Sequence, residues 1–324
     1  MQDITRMVRD TWHRGKLGTR TRREIRDFYM FTSPWIIGFM LLSLIPLIIG
    51  LLTSFTNYDG LNISNIKWLA LRNYQRAFES SDLYTSLKNT FVYTLLVVPV
   101  GNLFALILAN MLNRAMIGRS LFRAIYYLPS ILPLAGAIQA WGLMFNMNAG
   151  AVNAFLSLFV AGTAINWINE HFVLMLVMFS WWQLGGAMVI YLAGLQGVPE
   201  ELREAATMDG ANSVQVFFSV VLPLLTPVIF FQLVLGIIGS LQILDSAILL
   251  YGRTGLSGTT SMPGDLYMYM VYVYSQVFDF QRYGYGVALS WIFFVIVLVL
   301  TIILLVTSRY WVYYEVSQEG GTVK

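Results

Sequence analysis

Residues Pro199–Leu225 read PEELREAATMDGANSVQVFFSVVLPLL and hold four of the chain's seventeen acidic residues, between two long runs of hydrocarbon side chains. Pro199 suits the first position of a helix, where its missing N–H has no bond to lose. Glu200, Glu201 and Glu204 follow where carboxylates meet the positive end of the helix dipole. Gly210 is placed to end that helix in a left-handed cap, and Asn212 or Ser213 to cap the next one. The stretch therefore predicts helix, turn, helix. A connector lying in the lipid interface is the plainer alternative, but interfacial helices carry Lys and Arg on their polar face. Here Arg203 stands alone among four carboxylates, which suits a basic groove on another protein.

What flanks the hairpin sets the class of the molecule. The chain has 324 residues, 57% of them hydrophobic and 11% charged, with a mean hydropathy of +0.65. Soluble domains carry about 25% charged residues, so this composition reads as an integral membrane protein. There is no cysteine, which excludes disulfides and thiolate metal sites, and two histidines, His13 and His171, make no histidine cluster. Neither a metal nor another cofactor is expected. Residues 1–33 form a basic arm; Met1 to Asp27 is too polar to lead into a cleavage site and is not a cleavable signal. Such an arm suits the neighbourhood of anionic lipid heads, and the pI near 9.0 reflects it more than any nucleic-acid surface.

A helix crossing a hydrocarbon core of ~30 Å needs about 20 apolar residues. Six segments qualify: Ile36–Phe55, Thr90–Leu112, Ile125–Phe145, Phe172–Leu195, Leu224–Leu244 and Val287–Val306. The shorter apolar run Val152–Val160 reads as part of a loop helix. With the N-terminus inside, fourteen of the twenty Lys and Arg fall on the inner side, among them Arg114, Arg119, Arg123 and Arg203. Both termini are then cytoplasmic, as is the hairpin between spans four and five.

At this point a resemblance enters. Glu204-Ala205-Ala206, three residues, Gly210, nine residues, Val220, one residue and Leu222-Pro223 resemble the EAA signature of the permease subunits of binding-protein-dependent ABC importers. Val220 stands where that family usually has Ile. GLQGVPEELREAATMDGA is similar to the version in maltose-type carbohydrate permeases, and LRNYQRAF, SLKNTFVYTLLVVPVG, NRAMIGRSLFRAIYYLPSILP and SRYWVYY resemble the same family. Together these cover about residues 34–314, leaving the arm and the tail 315–324 outside. The resemblance implies an all-α integral membrane protein with six transmembrane helices and a cytoplasmic two-helix coupling loop over about 199–222. It implies a bacterial cytoplasmic (inner) membrane, a second permease subunit, two ATPase subunits and an external solute-binding protein. In that family the loop enters a cleft of the ATPase; Glu204 would pair with basic groups there, Asp209 would do likewise or cap, and Ala205, Ala206 and Gly210 would permit the close approach and sharp turn.

Energy must come from such a partner. The one Gly-Lys pair, Gly15-Lys16, is followed by Leu17 and lacks the earlier glycine of a nucleotide-phosphate loop. The spans hold no carboxylate or histidine chain for ion coupling; Asp245, at the outer end of span five, is the candidate. Repeated broken helices, a mark of secondary transporters, are not visible either.

Sugars are held by aromatic faces and hydrogen-bonding side chains. Span four offers Trp181, Trp182 and Gln183 beside Gly185-Gly186; span five offers Gln232, Ser240, Gln242 and Asp245. By resemblance the contacts would cluster near Trp182, Gly186 and Gln242. Each has a bland counterpart: Trp as an interfacial anchor, Gln and Ser as joints between helices, Gly as packing space. Asn102 and Asn110 read as interhelical joints, and the tyrosines of YMYMVYVY (Tyr267–Tyr274) as a reentrant or interfacial aromatic helix, or else a stacking surface. The loop YGRTGLSGTTSMPGD departs from the Gly-Gly-Pro turn usual in the family.

The reading is a non-catalytic permease subunit forming half of the path for a carbohydrate, in contact with membrane lipid and no nucleic acid. A permease for a polyol or glycerol phosphate is the alternative within transport, and a membrane scaffold or signalling protein the alternative outside it. A membrane enzyme lacks any convergent acid, base or nucleophile. No motif selects the sugar; an acidic one such as alginate would favour basic residues, and Arg253 and Arg282 lie near the outer ends of spans five and six.

Overall fold

A computed structural model describes residues 19–160, 164–252 and 266–313; expectations placed on 1–18, on the loop 253–265 and on the tail 315–324 lie outside the described residues. Among the described residues the regular elements are helical, and the pairing of extended chain is an isolated bridge, Thr56 with Trp68.

Helix α1 (Thr19–Phe39) begins inside the segment expected to be a polar arm and runs through a π-helical stretch (Met40–Leu44) into α2 (Ile45–Thr53). Pro46 follows that stretch. A proline has no N–H to give and crowds the carbonyl four residues back, and a widened turn absorbs both effects. None of the most apolar window of Arg23–Thr53 is buried within the chain. A short amphipathic helix, α3 (Arg72–Glu79), docks on the end of α2 through Asn73, whose Nδ2 donates to the Ser54 and Thr56 carbonyls at 2.8 Å each.

Helix α4 (Ser81–Asn113) has 33 residues, and at 1.5 Å per residue it is roughly 50 Å long, more than a bilayer core requires. After a left-handed Gly118, α5 (Arg119–Ile131) and α6 (Leu134–Met144) meet at 97°. The expected third span is therefore broken. Pro133 explains the break: it pushes Leu132 into extended backbone (ψ 143) and offers no donor to continue the ladder. Helix α7 (Ala151–Ser157) is the loop helix expected over Val152–Val160, and a second short helix, α8 (Trp167–Glu170), follows it without having been expected. The fourth apolar run is also bent, by 43°, between α9 (Phe172–Trp182) and α10 (Gly185–Gln196). A side chain at Gly185 would overlap the carbonyl oxygen of Tyr126 and come within 2.6 Å of the Tyr127 Cα, so glycine lets α10 start against the backbone of α5.

The hairpin follows as α11 (Glu200–Met208) and α12 (Ser213–Val216). The second helix does not stop: it continues through a π-helical stretch (Phe217–Val221) ahead of Pro223 into α13 (Leu222–Leu241), one rod of 29 residues from Ser213 to Leu241. Helices α14 (Asp245–Gly252), α15 (Tyr269–Tyr274) and α16 (Tyr283–Trp311) complete the described chain. Among the described residues four helices are long and apolar enough to cross a membrane, or up to six if each bent pair is one span.

Helix α4 is central and packs against α9, α10, α13 and α15. Two apolar clusters hold this arrangement. One joins α4, α10 and α13 to the hairpin through Ala109, Leu195, Val216 and Leu225, with Ala206 and Ala211 packed against it. The other gathers α9, α15 and α16, and it includes Tyr267, Tyr269 and Tyr272. These tyrosines are buried: Tyr269 donates from its hydroxyl to the Leu289 carbonyl and from its backbone N–H to Thr90 Oγ1, both at 2.8 Å, and stacks on Phe293 with ring centroids 4.6 Å apart. Tyr267, Tyr269 and Tyr272 are thus core inside the bundle rather than a belt or an open stacking surface, with the Tyr269 and Tyr272 hydroxyls bonded to Leu289 and Tyr285, whereas Tyr274 is exposed at the edge of the stretch.

Candidate transport cavity and coupling hairpin

Bends at membrane depth leave backbone groups without helical partners, and these are tolerated where they face a cavity or protein. The α9–α10 break and the α13–α14 break supply such a place. Gln183, the residue closing α9, and Gln242, the residue closing α13, both have φ near −90° and ψ near +20°. Both line a cavity of about 540 Å³, together with Asp245 at the start of α14. From the facing helices Tyr93, Asn102, Ser180, Gln232 and Ser240 complete a polar lining over apolar walls.

Most of that polar lining is already committed. Tyr93 and Ser180 share a hydrogen bond of 2.7 Å between hydroxyls, and Ser240 donates to the Thr94 hydroxyl oxygen at 3.1 Å. Tyr191 donates to Asn102 Oδ1 at 2.6 Å, while Asn102 Nδ2 donates to the Val98 carbonyl at 2.7 Å. Asn102 is therefore the interhelical joint its spacing suggested, and it also borders the cavity. Gln183, Gln242 and Asp245 differ in standing at helix breaks with no side-chain bond of this kind. Among the described residues these three, with Gln232, are lining groups without a side-chain hydrogen bond, able to bond a hydroxyl-rich guest. Asp245 is the lining's charged residue, and no Lys or Arg faces the cavity.

The other two residues expected on the path, Trp182 and Gly186, are not in this lining. Trp182 stacks on Trp141 with ring centroids 5.5 Å apart and packs on Phe179 at 6.0 Å, outside the lining. Gly186 also lies off the lining, with open space where a side chain would point. Tyr93 was not singled out in the sequence; its signal is a tyrosine on an apolar helix with a serine one helix away, which spacing alone does not pair.

At the far end of the Ser213–Leu241 rod, the hairpin is fixed by its turn. The N–H of Ala211 donates to the Ala206 carbonyl and that of Gly210 to the Thr207 carbonyl, both at 3.0 Å, with Gly210 at φ +89°. This pair of hydrogen bonds closes α11 in the cap that a left-handed glycine makes possible. Asn212 then accepts from the N–H groups of Val214 and Gln215 at 3.0 Å, and Gln215 Oε1 accepts from the Asn212 N–H at 2.8 Å. Pro199 stands one residue before α11, with ψ 132, rather than at the first helical position expected, and makes no side-chain cap bond. The two alanines have separate duties: Ala206 packs inward on the apolar cluster, whereas Ala205 is exposed beside Glu204 and Asp209. Met208 is 87% exposed and Leu202 45%, so the outer face of α11 is acidic and apolar together. Met208 escapes sequence reading because its apolar character alone suggests burial.

Comparison with known proteins bears on this arrangement. A family model described as "Binding-protein-dependent transport system inner membrane component" matches residues 101–318, about two-thirds of the chain. A probable ABC transporter permease, YesP of Bacillus subtilis (strain 168), is 39% identical over 304 residues, which is 92% of this chain and 95% of that one. The arabinooligosaccharides transport system permease AraP of Halalkalibacterium halodurans is 32% identical over 246 residues, 72% of this chain and 74% of that one. Among solved structures, a chain of a bacterial alginate ABC transporter, crystallised with an alginate pentasaccharide-bound periplasmic protein, superposes with a TM-score of 0.73. It has 22% identity and covers 89% of this chain and 96% of that one, a likeness of fold. A chain whose polar cavity and capped acidic hairpin lie at the two ends of one helical rod thus belongs to the inner membrane components of binding-protein-dependent ABC transport systems.

Proposed function

We propose that this permease forms half of a translocation path for a neutral sugar or oligosaccharide, receives it from a solute-binding protein, and is driven by separate ATPase subunits docking on α11. The observation that carries this reading is the Ser213–Leu241 rod. Its first residues belong to the capped hairpin, and its last turns, with Gln232, Ser240 and the adjoining Gln242, line the cavity. At 1.5 Å per residue the rod is roughly 44 Å long, so a tilt imposed at the hairpin moves the cavity wall without an intervening loop.

Six spans follow if each bent pair crosses once, and the excess of Lys and Arg on the hairpin side supports a topology with both termini and the hairpin in the cytoplasm. Glu204, Ala205, Asp209 and Gly210 form the docking face, with Met208 added; Ala206 anchors it from behind. Gln183, Gln242 and Asp245 are the path residues, whereas Trp182 holds the end of α9 through Trp141. The names of relatives, arabinooligosaccharides and lactose permeases among them, support a carbohydrate over a polyol or glycerol phosphate. A second permease subunit and two ATPases complete the proposed assembly.

The test is uptake into proteoliposomes holding the whole assembly with its binding protein. Labelled neutral oligosaccharides should accumulate only with internal ATP. Accumulation of glycerol phosphate instead, or uptake indifferent to Gln183→Ala and Gln242→Ala together, would reverse the assignment.

A further inference from the structure

A second cavity, of about 490 Å³, lies beside the hairpin and has no part in the path just described. Arg114, from the chain just past α4, and Arg203, from α11, both line it, with Asn110, Thr207 and Ser213 as neutral hydrogen-bonding groups. No Asp or Glu lines it. Arg203 donates to the Leu195 carbonyl at 2.9 Å, but its Nε is shut off from solvent and has no partner. Among the described residues neither guanidinium is held in a salt bridge. Two guanidinium groups around one cavity with no carboxylate to balance them call for an anion that accepts N–H bonds from both, and phosphate oxygens match that need.

The remaining wall distinguishes the source of the phosphate. Val214 and Phe218 line the same cavity and are 65% and 62% exposed, at the foot of the apolar rod. A free anion gains nothing from them, whereas a molecule with a phosphate head and a hydrocarbon tail satisfies both walls. We propose that this cavity binds the phosphate ester of an anionic phospholipid, its head between Arg114 and Arg203 and its acyl chain along Phe218 and Val214. Because Arg203 and Thr207 sit on α11 while Ser213 and Phe218 sit on the rod, an occupied site clamps the hairpin against α4. The binding site stands apart from the transport reading; a lipid-dependent coupling to ATP turnover rests on it.

The experiment places the complete transporter in nanodiscs of phosphatidylcholine alone, of phosphatidylcholine with phosphatidylglycerol, and of phosphatidylcholine alone with inorganic phosphate in the buffer. Hydrogen exchange over residues 200–215 and retained phosphatidylglycerol by native mass spectrometry are read for the natural chain, Arg114→Gln and Arg114→Lys. Arg114 is exposed, so these changes spare the core. Expected are slowed exchange with phosphatidylglycerol alone, retention roughly tenfold weaker in Arg114→Gln, as befits loss of a charge-assisted hydrogen bond, and partial recovery in Arg114→Lys. Equal slowing by inorganic phosphate would overturn the lipid assignment. Retention unchanged by Arg114→Gln, or slowing that requires only the ATPase and no phosphatidylglycerol, would overturn the site, the latter by showing that an acidic group of the ATPase fills it.

Discussion

Replacing Gly210 isolates the turn of the hairpin from everything else. Gly210 has φ +89°, and a side chain built there meets no atom within 4 Å. A substitution therefore introduces no clash, and its whole cost is the left-handed backbone, about 1–2 kcal/mol for an ordinary L-residue and more for a β-branched one. Asn tolerates this conformation, so Gly210→Asn, Gly210→Ala and Gly210→Val form a graded series at fixed sterics. The cap also holds two backbone bonds, from Ala211 and Gly210, which a relaxed φ would release. If the strain opposes the docked hairpin, 1–2 kcal/mol lowers the docked population about five- to thirty-fold. Co-purification of ATPase with permease, together with binding-protein-stimulated ATP turnover in proteoliposomes, should fall in the order Asn, Ala, Val, while membrane insertion stays normal. Identical values for Val and Asn would refute the claim that this φ aims the hairpin.

Three further outcomes follow from the same geometry. Glu204→Lys should set like charge against the ATPase and release it, at a cost of several kcal/mol if the contact is desolvated, whereas Glu204→Gln should retain part of the association; equal ATPase recovery for both would remove the charge argument. Gln183→Ala and Gln242→Ala should each weaken the apparent affinity for the transported sugar about fivefold, as for one hydrogen bond of about 1 kcal/mol, while Trp182→Ala should lower thermal stability and leave that affinity nearly unchanged; the reverse pattern would move the path to the tryptophan. Gly185→Ala should destabilise the fold by about 1–3 kcal/mol, because the new methyl overlaps backbone of α5 rather than a side chain that can swing away, and an unaltered unfolding midpoint would contradict the close approach.

The parts of this architecture legible in the sequence are those written in local chemistry. Hydrophobic runs announced α4 and α16, and the cap residues Gly210 and Asn212 announced the hairpin with its turn at the right place. The Pro133 break was legible in principle, since a proline disfavours helix at Leu132, but a mostly apolar run from Ile125 to Phe145, long enough for one span, hides it. The merging of α12 into α13 was not, because Pro223 reads as a helix start, and only the π-helical turn before it lets one rod pass through. The cavity divides in the same way. Gln183 and Gln242 stand out as polar residues at membrane depth, yet Tyr93 with Ser180, and Trp182 with Trp141, are pairings of distant helices that no local pattern encodes.

The chain contains no cysteine, so a single one can report on the hairpin without background. Met208 is 87% exposed on the outer face of α11 and touches none of the bundle's core clusters. With Met208→Cys carrying a short photo-crosslinker in the assembled transporter, the coupling account predicts a covalent adduct with the ATPase subunit, formed from the cytoplasmic side of sealed vesicles. An adduct formed from the outer side, or capture of lipid alone with the ATPase present, would contradict it.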